Sequence, residues 1–443
     1  METKDLLKNS TLKKDFFKYM IPSVLSMWVS ALYIMVDGMF VSKGVGTTAL
    51  ASVNITTPFV NMIFGLSVLF SIGSSTVISS SLGKSDNKKA NEQFSLSIGF
   101  LTIISIVLSI ISYIFVEDIC KTLGASGEIL NISKEYLKII ILFAPFYIVS
   151  YALEVLIKVD GYPQLSIIGV IISALTNIIL DYVFVFIFNW GVEGAGLATG
   201  LARLFSFIFF FIHFMSKKSR LKFTKFKFDF NFIKSISKIG VSDCVTEMSL
   251  GIVILLFNQI ILRIIGEPGL VTYSVISYVN TLVLSTMLGI SQGLQPLSSY
   301  YNGKNDEGSV KRLVSIALKT TALISLIIFI GCMLFGDIIV SMFINKSNLD
   351  IFNYTVKYFK TYSVSFILIG FNVLISGALA SIHQTKDAGL ISILRGIVVI
   401  TISIIACTHF FGHTGIWISA IVSELVVLCV SISKIKKVLL KHN

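Results

Sequence analysis

The chain has 443 residues, of which 54% are hydrophobic and 14% charged, with a formal net charge of +12 and a mean hydropathy of +0.86. Soluble domains carry about 25% charged and 45–50% apolar residues, so this chain has too little polar surface to wet a globule of its size. A soluble enzyme, a disordered chain and a secreted disulfide scaffold are excluded, which leaves a polytopic membrane protein. Five scattered cysteines (Cys120, Cys244, Cys332, Cys407, Cys429) form no C-x-x-C and sit in or beside apolar runs, as small buried hydrophobes do.

The first residues, METKDLLKNSTLKKDFF, are polar and amphipathic and lack a small-residue cleavage site. They read as a retained cytoplasmic segment. Windows of about 20 apolar residues then place twelve spans over residues 17–42, 50–82, 93–116, 134–158, 163–188, 193–216, 237–264, 270–299, 312–343, 353–380, 387–411 and 414–434. Runs of this length exclude a transmembrane barrel, whose strands alternate in polarity over about ten residues. Basic residues set the direction. With the N-terminus inside, most of the 36 fall in inner segments, including Lys13, Lys14, Lys84, Lys88, Lys158, the cluster from Lys217 to Lys238, Lys304, Lys386, Arg395 and Lys434. Few fall outside, among them Lys43, Lys121, Arg263 and Lys346. The excess follows the positive-inside rule, so both termini are expected in the cytoplasm and the protein in a bacterial plasma (inner) membrane. The net charge then reports topology and contact with membrane lipid, and no nucleic-acid partner is expected.

The linker KKSRLKFTKFKF interleaves basic and apolar residues between two sets of six spans. It reads either as a connector whose aromatics dip into the interface while its lysines meet headgroups, or as a plain basic tether. The expected organisation is an N-terminal lobe over residues 1–216, a basic cytoplasmic linker over 217–236 and a C-terminal lobe over 237–443. A shift of 220 residues brings Gly46 onto Gly266, Gly73 onto Gly293, and Gly83-Lys84-x-Asp86 onto Gly303-Lys304-x-Asp306. Because six is even, the two pseudo-symmetric six-helix lobes form a parallel repeat. That is an architecture of transporters that rock two bundles about a central site.

Carboxylates within spans cost several kcal/mol unless paired or facing water, so they are functional candidates. These are Asp37 in span 1, Glu154 in span 4, Asp181 in span 5, and Asp243 and Glu247 in span 7, with Arg203 on span 6. Counted at about 1.5 Å per residue from the outer ends, Asp37, Asp181 and Thr199 share one level, on the order of 8–10 Å deep. Asn177 lies one turn from Asp181 on the same helix face. Such oxygens suit a hard cation, a proton shared by two acids, or a hydrogen-bonded knot that only holds helices together. Asp243 reads as a solvated helix-start residue. Arg203 raises two alternatives, a salt bridge to Asp181 or Asp37 that displaces a cation, or a different partner.

The stretch from Pro22 to Asp37 continuing into GMFVSKGVGTTALASVNITTPF, then DGYPQLSIIGVIISALTNIILDYVFVF, then GVEGAGLAT resembles the MATE (multidrug and toxic compound extrusion) family, in the branch with a cation site in the N-terminal lobe. The resemblance covers the whole chain. It implies that Asp37, Asn177, Asp181 and Thr199 form the coupling site, that helix 1 bends at Pro22, that Glu247 is the helix 7 acid, and that Glu154 borders the drug cavity. It departs from the family in lacking any acid in span 10 and in carrying Arg203 where a neutral residue is usual.

The expected function is therefore secondary active efflux of lipophilic and cationic compounds in exchange for Na+ or H+, by one chain acting as a monomer. Neutralising Asp37 and Asp181 would repack helix 1 and favour drug release. A lipid-linked saccharide flippase shares the two-lobe architecture and is the alternative, disfavoured by the twelve spans and the mainly acidic intramembrane charge. The five histidines show no metal-ligand spacing. No P-loop, nucleophile elbow or dinucleotide fingerprint occurs, so neither enzymatic activity nor a cofactor is expected.

Overall fold

The computed structural model describes residues 2–344 and 349–440; Lys346 lies outside them. The described residues form α1 (Glu2–Gly44), α2 (Thr47–Gly83), α3 (Asn87–Ile114), the short α4 (Val116–Thr122), α5 (Gly127–Val159), α6 (Pro163–Asp181), α7 (Gly191–Met215), α8 (Phe230–Ile264), α9 (Glu267–Gly303), α10 (Glu307–Ser341), α11 (Leu349–Ser363), α12 (Ser365–Ser381), α13 (Thr385–Ile393) and α14 (Val399–Leu440). Among the described residues, eleven helical stretches are long and apolar enough to cross a membrane.

The last stretch, Thr385–Lys437, is 53 residues long and holds two spans. At Gly412 the backbone takes φ 56 and ψ −133, a region essentially reserved for glycine. A Cβ on Gly415 would collide with the carbonyl oxygen of Cys407. Eight residues along a straight helix lie about 12 Å apart, so the chain reverses here. The protein is thus an all-α, multi-pass membrane protein of twelve spans.

The repeat is written into the backbone as well as the sequence. Ser85 (φ 61) and Asn305 (φ 57) both adopt the left-handed conformation, 220 residues apart. The next residue in each case, Asp86 or Asp306, caps a helix by accepting a hydrogen bond at 3.0 Å from the amide of Lys89 or Ser309. Spans 5 and 11 hold equivalent places in the repeat, and each contains a π-helical turn, Tyr182–Ile187 and Leu394–Val398.

The chain divides into two compact units. One comprises Leu25–Gly240 with Ser299–Asn305, the other Met1–Val24, Val241–Ser298 and Asp306–Asn443. Helix α1 is shared, and Pro22 sits two residues before the division. In the second unit a Cβ on Gly289 or Gly293 would run into the backbone of Val24 or Met20, so the start of α1 packs backbone to backbone on α9. In the first unit Gly73 and Gly240 do the same against Ile236 and Leu69.

In the first unit the linker is tied down. Asp160, fully buried after α5, pairs through Oδ2 with His213 Nε2 at 2.8 Å. Its Oδ1 accepts from the amides of Arg220 and Leu221, each at 2.7 Å, and from Ser219 Oγ. The amides of Lys222 and Thr224 donate to Asn91 and Ser95 of α3. Residues 222–229 therefore run extended along α3. Lys158, placed above in an inner loop, is instead buried in the last turn of α5.

Candidate functional site

A cavity of about 200 Å³ opens in the first unit, lined among others by Tyr33, Asp37, Tyr136, Tyr147, Thr199 and Arg203. Asp37 comes from α1, the tyrosines at 136 and 147 from α5, and Thr199 and Arg203 one turn apart on α7. Behind the cavity wall, Asn177 and Asp181 project from successive turns of α6 and are fully buried. Asp181 is the last residue before the π-helical turn, a feature frequent at functional sites because it re-aims backbone and side chains.

The structure brings all four residues of the expected coupling site together. Asp37 faces both Asp181 and Asn177 closely enough to interact directly. Asn177 donates from Nδ2 to Thr199 Oγ1 at 3.3 Å, which turns its own Oδ1 away from that bond. Asp37 Oδ1, Asn177 Oδ1 and both Asp181 oxygens are buried, yet none has a hydrogen-bond partner among the described residues. A buried acceptor without a partner costs about 1–3 kcal/mol, and more when charged. Four such oxygens clustered on two helices, α1 and α6, form an acceptor-only shell, chemically matched to a proton or a hard cation.

Arg203 takes the second of its two alternatives. Its Nη2 donates to the Tyr33 hydroxyl, and its guanidinium lies 4.5 Å from the Tyr147 ring centroid and 5.4 Å from that of Tyr33. No ion pair joins it to Asp37 or Asp181 among the described residues. After those two tyrosines, Glu154 of α5 also lies within electrostatic range of Arg203, as it does of Lys158 one turn along the helix. Glu154 is a buried carboxylate, and it is not among the residues lining the cavity.

The MatE family model matches this chain twice, over residues 22–183 and 244–405, one match in each half of the repeat. The chain belongs to the MatE family. Two curated relatives are multidrug export proteins MepA. The one from Staphylococcus saprophyticus is 26% identical over 426 residues, covering 95% of this chain and 92% of that protein. The one from Staphylococcus aureus is 27% identical over 421 residues, covering 94% and 92%. Solved structures agree in fold: a MATE in complex with MaL6 superposes with a TM-score of 0.92 at 21% identity, covering 97% of this chain and 96% of that one. An outward-facing multidrug resistance MATE family transporter gives 0.91 at 21% identity, with the same coverage.

The C-terminal half of this MatE-family chain is built differently. A cavity of about 180 Å³ in the second unit is lined by Thr246, Tyr273, Asn280, Tyr362, Arg395 and Glu424, among others. Here the carboxylate is fully engaged: Arg395 Nε donates to Glu424 Oε1 at 2.9 Å and Asn372 Nδ2 to Oε2 at 2.7 Å, while Ser431 bonds Asn372 Oδ1 at 2.8 Å. Glu424 is not among the sequence candidates, and Arg395 is counted there with the inner-segment basic residues although it falls within span 11. The signals available were an acid midway along span 12 and an arginine several residues inside span 11. Glu247 is half-buried on α8 near Asp243, outside this cavity. Asp243 is not the solvated residue expected: it is buried and accepts from Gln295 Nε2 at 3.2 Å and Ser242 Oγ at 3.1 Å.

Proposed function

We propose that this MatE-family membrane transporter is a secondary active antiporter, exporting lipophilic and cationic compounds in exchange for Na+ or H+. The MepA relatives support multidrug export as the direction and class of transport. The observation that carries the coupling step is the set of unpartnered buried oxygens on Asp37, Asn177 and Asp181. These groups lose least when a cation or proton neutralises them, and most when the site is closed without one. Coupling requires that the ion bind the two transport conformations unequally. Drug release on ion entry follows if neutralised Asp37 and Asp181 let α1 repack. The membrane potential adds about 2.3 kcal/mol per inward charge per 100 mV.

The Arg395–Glu424 pair supports placing the coupling ion in the N-terminal half, because there the C-terminal acid already has a fixed cation of its own. The test is dye efflux from vesicles with sodium and proton gradients imposed separately. Efflux driven by one of the two gradients supports antiport and names the ion; efflux indifferent to both contradicts it. With the N-terminal segment placed in the cytoplasm of a bacterial cell, the same orientation puts the Asp37 level nearer the outer face, open to incoming ions.

A further inference from the structure

Outside the sites described above, the linker and α3 together border a further cavity of about 300 Å³. Its lining is wholly apolar: Leu96, Gly99, Phe100, Ile103, Ile104 and Val107 of α3, closed on one side by Phe226 and Phe228. The α3 residues recur at helical spacing and form a single face. From Leu96 to Val107 that face runs about 16 Å at 1.5 Å per residue, which is close to one leaflet of a hydrocarbon core about 30 Å thick. Gly99, with no side chain, lets the Phe226 ring lie close against α3. A Cβ there would stand 3.0 Å from Phe226 Cζ. The anchors on Asp160, Asn91 and Ser95 hold the linker in place.

Along an extended chain successive side chains alternate sides. Phe226 and Phe228 border the groove with α3, while Lys225 and Lys227, beside them in the chain, are exposed. The nearest acid in the sequence, Asp229, is occupied in capping α8 through the amides of Asn231 and Phe232. The apolar groove, about the length of one acyl chain, is thus bordered by a linker segment that carries two exposed lysines.

We propose that this groove binds one anionic phospholipid, with an acyl chain along α3 and its headgroup on Lys225 and Lys227. The lipid would hold the linker against α3. The experiment is native mass spectrometry of the full-length protein extracted from bilayers of phosphatidylcholine and phosphatidylglycerol. The expected result is one phosphatidylglycerol retained per chain in preference to phosphatidylcholine. K225Q/K227Q, on exposed side chains, should weaken that preference on the order of tenfold. I103W, which fills the groove from an exposed position, should lose the retained lipid while the headgroup lysines remain. Equal retention of the two lipids, or retention unchanged in both variants, overturns the proposal.

Discussion

Asp37 Oδ1 and both carboxylate oxygens of Asp181 are buried without a hydrogen-bond partner among the described residues. Asp37→Asn is expected to abolish drug resistance in a pump-deficient host while the protein is still made at normal levels, and unchanged resistance would remove the helix 1 acid from the mechanism. Arg203 sits at the same cavity but spends its charge on Tyr33, Tyr147 and Glu154. In the same half, beyond the end of α3, Glu117 of α4 is held at a pKa of about 2 by hydrogen bonds and charge from Lys121 and Lys134. Its folded pKa lies below its unfolded one, so the stabilising contribution is present at neutral pH and is lost as pH falls through about 2. Across pH 5 to 8 it stays ionised. Glu117→Gln should therefore leave the pH profile of efflux unchanged over that range, and a displaced profile would show that this surface cluster titrates with transport.

Among the elements, the hairpin at Gly412 and the ion pair of spans 11 and 12 set the clearest expectations. Gly412→Ala forces a side chain into a glycine-only conformation and should cost about 1–3 kcal/mol, read as a lower unfolding temperature in detergent. Removing one partner of the Arg395–Glu424 pair leaves a buried charge uncompensated, so Glu424→Gln is expected to destabilise by roughly 3–5 kcal/mol. Replacing both with methionine should recover much of that loss. Asp160→Asn weakens the acceptor for two linker amides and His213; trypsin should then cut the basic linker several-fold faster than in the wild type, and equal rates would mean that other bonds hold it. Spans, their order and the 220-residue repeat were legible in the sequence because long apolar runs, turn glycines and capping aspartates each impose a local rule. The cluster of Asp37, Asn177, Asp181 and Thr199 was legible from depth and helix face. Glu424, Arg395 and Asp160 were not, because hydropathy windows locate span ends but not which face of a helix meets which neighbour. Arg395 in particular looks like a loop cation until its partner on the next span is known.

For the whole molecule, the two halves share backbone conformations to the level of single caps and turns, yet differ in charge pairing. In the C-terminal half Glu424 is paired with an arginine, whereas in the N-terminal half Asp37 and Asp181 keep buried oxygens without a hydrogen-bond partner among the described residues. The most direct test is equilibrium binding of a fluorescent lipophilic cation to the purified protein, titrated with Na+ at fixed pH and with acid at fixed Na+. In the wild type one of the two titrations should displace the cation, and Asp37→Asn or Asp181→Asn should abolish that displacement. Displacement that persists undiminished in both variants would contradict ion binding at this site.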